Sequence, residues 1–141
     1  MRVLVDTNIL IDWISHRESF YDQSRAAVLK CSDIDTDACI AAHSITNIFY
    51  ILRHKSEQIR RKEIFDVLEK IFHIIPLDTD KLRNAVSNTS FTDIEDCLQA
   101  ECAKEFGADY IVTRNVKDFT GSSIPAVTPG EFIRLTEGIQ Q

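Results

Sequence analysis

The chain has 141 residues, of which 44% are hydrophobic and 27% charged, with four glycines, three prolines and a formal net charge of −6. These totals suit one globular domain over residues 1–141, long enough to bury a core and too poor in glycine and proline for extended linkers. They exclude the broad basic surface of most nucleic-acid-binding domains, so any such role must rest on a local basic patch or on bound cations.

Val3 to Asp6 (VLVD) predicts a strand that ends on a carboxylate, with Thr7 and Asn8 behind it as capping chemistry. No element is assigned between that point and Glu18. From about Glu18 to Cys31, Phe20, Ala27, Val28 and Cys31 share one helical face. Ala38 to His43 is a second short apolar run. Ser44 is placed as the N-cap of a helix with Ile45, Ile48, Phe49 and Leu52 on its stripe. Ser56 is expected to start another, with Phe65, Leu68, Ile71 and Phe72 facing inward.

His73 to Leu77 (HIIPL) predicts a third strand, and Pro76 marks its end or an edge position. A short helix follows over Asp78 to Val86. Thr92 with Glu95 three residues later is the pattern of a capping box. The helix it opens buries Ile94, Cys97, Leu98, Cys102 and Phe106, and Gly107 closes it. Asp109 to Thr113 is a fourth strand, apolar enough to be covered on both faces. IPAV suggests a fifth, and Pro129 opens a last helix.

Strands alternating with helices imply right-handed crossovers and an α/β class, a three-layer α/β/α sandwich around a mostly parallel sheet. Cys31, Cys39, Cys97 and Cys102 contain no C-x-x-C pair and are expected to be reduced core thiols. His16, His43, His54 and His73 lack zinc-ligand spacing. The N-terminus does not read as a signal peptide and no apolar run reaches spanning length, so the expected location is the cytoplasm, away from membranes.

Functional crevices in such sheets lie at the carboxyl ends of strands. Asp6 ends the first strand, Asp93 and Asp96 lie in the first turn after Thr92, and Asn115 and Asp118 (TRNVKDF) follow the fourth strand. Capping, helix-terminus and turn roles account for each of these singly. Together they make an acidic cleft, in which carboxylates raise one another's pKa unless a cation neutralises them. Oxygen ligands in this number suit Mg2+ or Mn2+.

The segments VLVDTNILID, AHSITNIFYIL, FTDIEDCLQAECAKEFGADYIVTRNVKDF and IPAVTPGEF resemble the PIN domain family. These are small metal-dependent ribonucleases that include the VapC-type toxins of bacterial toxin–antitoxin pairs. The resemblance runs through nearly the whole chain and implies an α/β/α sandwich. It implies Asp6 as the first acidic ligand, Asp96 as the third with Asp93 as helper, and Thr113 with Asn115 or Asp118 as the motif that completes the site. The second acid, usually a glutamate, corresponds to Asn47. An amide there can orient a water but adds no charge and cannot act as a general base. Asn115 stands where many relatives carry aspartate.

The resemblance therefore implies a Mg2+- or Mn2+-dependent ribonuclease with Asp6, Asp96, Asp93 and Asp118 as its catalytic acids and Asn115 and Asn47 as further ligands. Its substrate would be single-stranded RNA, drawn by the basic stretch Arg53 to Lys62, with an antitoxin as partner. A homodimer through the helical hairpin around Ile48 to Phe72 is expected on the same ground. Asn47 and Asn115 keep open a non-cleaving RNA- or protein-binding domain. A phosphoacceptor receiver domain fits less well, because no paired acids follow the first strand and no late Thr/Lys pairing is present.

Overall fold

Strand β1 (Arg2–Val5) is the central member of a five-stranded sheet in the computed structural model, which describes residues 1–54 and 60–139. Helices α1 (Thr7–Ile14) and α2 (Tyr21–Cys31) lead to β2 (Asp37–Ala41); α3 (Ala42–Ile51) and α4 (Arg61–Ile71) lead to β3 (His73–Ile75). Helices α5 (Thr79–Ser87) and α6 (Ile94–Phe106) precede β4 (Tyr110–Val112). A 3-10 turn at Val116–Phe119, β5 (Ala126–Val127) and α7 (Pro129–Ile139) complete the order. The strands lie as β3-β2-β1-β4-β5 and every neighbouring pair is parallel.

The two-residue period of the strands divides the interior into two cores. Val3, Val5, Ile40 and Val112 point to the side covered by Ile9 and Leu10 of α1, Val28 of α2, Ile48 of α3, Leu68 of α4 and Phe132 of α7. Leu4, Cys39, Ala41 and Ile111 point the other way, against Ala100, Cys102 and Ala103 of α6 and Phe119. Burial on both faces is why these strands read as unbroken apolar runs. The α/β/α sandwich expected from sequence is the observed fold, and its sheet is wholly parallel.

Several local readings change. Helix α1 is not legible in the sequence pattern, yet Thr7–Ile14 is helical because Asp6 caps it, accepting from the Thr7 N–H, and because Ile9, Leu10 and Ile11 are buried. Ser44 is not an N-cap. Helix α3 starts at Ala42 behind an extended Ala41, and the fully buried Ser44 spends its hydroxyl on Thr7 and Gln99. Thr92 does not cap α6 either. The carboxylate of Asp93 takes that place, accepting from Glu95 N–H at 2.8 Å.

Ile94, Phe20 and Phe65, each read as buried, are exposed at 47%, 40% and 36%. Ile64 replaces Phe65 in the core, and Phe20 instead underlies the guanidinium of Arg114. Ile45, Phe49 and Ile71 are half-buried. The helix start placed at Ser56 lies outside the described residues; α4 runs from Arg61. Other readings agree: β3 is an edge strand followed by Pro76, Gly107 caps α6 at φ 72°, and all four cysteines are buried and free. Among the described residues, no helix is long and apolar enough to cross a membrane.

Candidate active site at the carboxyl ends of the central strands

The sheet order reverses at β1. The chain steps outward through β2 and β3, then returns to place β4 on the other flank of β1. Parallel α/β sheets open a crevice at such a reversal, outside the carboxyl ends of the strands. The register pairs Val5 with Val112, so Asp6 and Thr113 emerge side by side.

Asp6 is only 7% exposed and is held from both sides. Its Oδ1 accepts from Thr7 N–H at 2.8 Å and its Oδ2 accepts from the Thr113 hydroxyl at 2.8 Å. The Asn115 N–H donates to Thr113 Oγ1 at 3.0 Å, which folds the chain after β4 back toward the cleft. Behind Asp6 lies a polar layer. Gln99 Nε2 donates to Thr7 Oγ1 at 2.9 Å and to Ser44 Oγ at 2.8 Å, and the two hydroxyls are 2.7 Å apart.

In front of this layer an open cleft of about 360 Å³ is lined by Asp6, Asn8, Asn47, Tyr50, Ile51, Glu95, Asp96, Gln99 and Asn115. Burial, and then the charges of Asp6, Asp93, Asp118 and Glu95, push the Asp96 carboxyl up to about 7. Burial also raises Asp6, against the opposing hydrogen bonds from Thr113 and Thr7; the charge of Asp118 raises it further and Arg114 lowers it. Two carboxyls held above their usual range at the floor of one cleft favour a cation there.

The structure brings four of the six expected site residues onto the cleft wall: Asp6, Asp96, Asn47 and Asn115. The other two, Asp93 and Asp118, stand outside the lining and bear on it through charge. Asp93 spends one carboxylate oxygen as the α6 cap, and Asp118 is exposed on the 3-10 turn. Among the described residues, no three His, Cys, Asp or Glu side chains converge closely enough to hold a metal by themselves. The cleft offers the carboxylates of Asp6, Asp96 and Glu95 and several amide oxygens, within what Mg2+ asks, since it keeps several of its waters.

Among the lining groups that sequence reasoning missed, three bring carboxylate or amide oxygens. Glu95 was read only as half of a capping box; it lies on the cleft and accepts from Asn47 Nδ2 at 3.3 Å. Gln99 sits three residues after Asp96 on α6, a spacing that puts both on one helical face and is visible in the sequence. Asn8 follows Asp6 in the DTN triplet. Asn8 Oδ1 and Gln99 Oε1 are buried oxygens with no hydrogen-bond partner among the described residues. Such acceptors commonly serve an ordered water or ion.

The residue after Thr113 is anchored as firmly. Arg114 closes on the fully buried carboxylate of Asp12 through Nε and, at 3.3 Å, through Nη2, while its guanidinium lies 4.0 Å over Phe20. Arg17 approaches the same carboxylate at 3.7 Å. A second hollow, of about 250 Å³ between the end of α1 and the start of α4, is lined by Trp13, Ile14, His16, Arg60, Glu63, Ile64 and Val67. It holds one carboxylate and has none of the convergent acids.

The model of the PIN domain matches residues 2–117. The sequence matches no curated protein. Solved structures with the same fold include a chain of VapBC2 from Rickettsia felis bound to a DNA fragment from their promoter, with TM-score 0.62 and 18% identity over 91% of this chain and 98% of that one. A chain of FitAB bound to an IR36 DNA fragment gives TM-score 0.69 and 16% identity over 90% and 94%. A chain of a toxin–antitoxin complex from Klebsiella pneumoniae gives TM-score 0.69 and 23% identity over 90% and 97%. With the family match covering most of its length, and the strand order and cleft described above, the chain belongs to the PIN domain family.

Proposed function

We propose that the protein is an endoribonuclease that uses Mg2+ or Mn2+ to hydrolyse phosphodiester bonds of single-stranded RNA. The observation that carries this reading is the convergence of Asp6 and Asp96 in one cleft, both raised above the ordinary carboxylate range. The donor set also fits the cation: all oxygen, with two carboxylates, the amides of Asn47 and Asn115, and the unpartnered oxygens of Asn8 and Gln99. When bound, a divalent cation supplies charge neutralisation at the phosphate and an activated water.

The chain's own groups do the remaining work. Thr113 and Thr7 hold Asp6 in one orientation, so that its carboxylate need not reorganise during the reaction. Gln99 fixes the floor of the cleft through Thr7 and Ser44. Asn47 brings no charge to α3, but Glu95, which accepts from its Nδ2 at 3.3 Å, keeps a carboxylate on that side of the cleft. Asp93 and Asp118 strengthen the negative field that draws the cation. Among the described residues, no serine, cysteine or histidine nucleophile lines the cleft.

An antitoxin partner is part of this reading, because one of the structures matched is a toxin–antitoxin complex. So are a cytoplasmic setting and a homodimer through the α3–α4 hairpin. The basic stretch invoked to attract RNA lies partly outside the described residues. Of its described members, Lys62 pairs with Asp66 at 2.9 Å and Arg60 approaches Glu63 at 3.6 Å. Asn47 and Asn115 support a second reading, a PIN domain that binds RNA or protein without cutting it.

The test is incubation with a long single-stranded RNA and Mn2+ or Mg2+, beside an Asp6→Asn/Asp96→Asn double variant. Cleavage by the natural protein alone is the expected result. Equal cleavage by both points to a contaminant and sinks the assignment. Cleavage by neither, with RNA still bound, leaves the non-cleaving reading.

A further inference from the structure

Helix α3 presents more than Asn47 to the cleft. Tyr50 and Ile51 follow it at the i+3 and i+4 positions, so all three share one helical face, and all three line the cleft that holds Asp6 and Asp96. Tyr50 is 64% exposed and Ile51 43% exposed. Isolated exposed apolar residues need no explanation. An aromatic and an aliphatic side chain exposed side by side on the wall of an acidic cleft are a different case, because apart from the buried Ile11 the surroundings there are carboxylates, amides and a hydroxyl.

The Tyr50 ring is also positioned. The guanidinium of Arg53 lies 3.8 Å from its centroid, and Arg53 Nη1 donates to the Tyr50 carbonyl at 2.6 Å, which holds the cation against that residue. The result is an exposed aromatic side chain bearing a positive charge, on the rim of a cleft whose floor is negative. Single-stranded nucleic acid is bound by this combination: an aromatic face for a base and a cation for the neighbouring phosphate.

We infer that Tyr50, backed by Arg53 and flanked by Ile51, is a nucleobase-stacking subsite of the cleft, taking the base next to the phosphate held over Asp6 and Asp96. This rests on the ribonucleolytic reading of the cleft. An acidic segment of a protein partner is the competing occupant. Arg53 alone would attract it, but the placement of Tyr50 beside the acids, which repel such a segment, favours RNA.

The experiment measures binding of a short single-stranded RNA, with Mg2+ present, to the Asp6→Asn protein carrying Tyr50→Ala, Tyr50→Leu or Tyr50→Phe, and steady-state cleavage by the same three changes in the active protein. Removing a stacked base partner weakens binding roughly tenfold or more. Tyr50→Ala and Tyr50→Leu should therefore lose about that factor and raise KM with little change in kcat, while Tyr50→Phe binds as the parent does. An RNA of the same length made wholly of abasic sugar-phosphate should bind weakly and be indifferent to Tyr50→Ala. Unchanged binding and KM in Tyr50→Ala, with cleavage intact, overturns the subsite and leaves the ribonuclease standing. Loss in Tyr50→Phe equal to that in Tyr50→Ala also overturns it, since the hydroxyl and not the ring would then be the contact. RNA bound but never cut, with the same variant pattern, supports the subsite while removing the nuclease. Neither binding nor cleavage by the parent removes both. Thermal melts of the variants, expected within a degree or two of the parent because the side chain is exposed, guard against misfolding.

Discussion

The Thr113 hydroxyl donates to Asp6 Oδ2 at 2.8 Å, joining the ends of two adjacent strands across 107 residues of chain. The bond is the point at which the sheet and the cleft meet. It satisfies half of a carboxylate that is 7% exposed, and it opposes the burial that raises the pKa of that group. Replacing Thr113 with Val keeps the shape and removes the donor. The variant should be less stable by about 1–3 kcal/mol, because Asp6 is left short of a partner. Its affinity for Mg2+ should also fall, since Asp6 then holds its proton more tightly. Urea denaturation and Mg2+ titration check the two effects; unchanged Mg2+ affinity would mean that Thr113 serves only the fold.

The raised carboxyls of Asp6 and Asp96 set a pH dependence with a definite sign. Their ordinary value is 3.8, and Asp96 is pushed up to about 7 in the folded chain. Between those limits the folded Asp96 holds a proton that the unfolded chain has released, so it reduces stability as the pH rises from about 4 to about 7, and the raised Asp6 acts in the same direction. A divalent cation removes the penalty by neutralising the ionised pair. The rise in melting temperature on adding Mg2+ should be larger at pH 8 than at pH 5, and in Asp96→Asn most of that difference should vanish. A Mg2+ effect independent of pH would place the cation elsewhere.

Arg114 and Asp12 make a pair whose removal should be costly in one direction only. Asp12 is fully buried and Arg17, at 3.7 Å, is a distant second partner. Arg114→Ala leaves a buried carboxylate poorly paired, at a cost of about 3 kcal/mol. The Asp12→Leu/Arg114→Met double variant removes the charge from both sides and should recover much of that loss. Chemical denaturation of the three proteins checks the ordering. Because Arg114 lies between Thr113 and Asn115, the single variant should also lose activity at temperatures where it is still folded.

Gly121 packs against the chain just ahead of α6. A Cβ there would lie 2.7 Å from the Ser90 carbonyl oxygen and 2.8 Å from Ser90 Cβ, so the backbone must shift to admit it. Gly121→Ala should destabilise by about 1–3 kcal/mol as an overpacked site. The strain falls on the segment leading to Asp93 and Asp96, so Mg2+ affinity should drop as well. A melting temperature equal to that of the parent would show that this loop yields freely.

Much of the architecture is written locally. Strands buried on both faces must be apolar along their length, and Val3 to Val5, Ile40 and Ile111 carry that mark. Asp6 and Thr113 follow such runs, so their place at the carboxyl edge of the sheet is legible, as is Gly107 at the end of α6. The PIN-type motifs and the family itself are read from the chain alone.

Other features depend on contacts between distant segments. Helix α1 is too short to declare itself by periodicity, and it exists because an N-cap and a waiting core coincide. Asp93 and Ser44 are both good capping residues; the three-dimensional fold alone decides that the first caps a helix and the second bonds Thr7 and Gln99 in the interior. Local patterns assign a side chain to a helix face but not to the group across from it. So Asn47 could be read as a missing acid, while the carboxylate of Glu95 beside it, 48 residues along the chain, appeared only when α3 and α6 were brought together around β1.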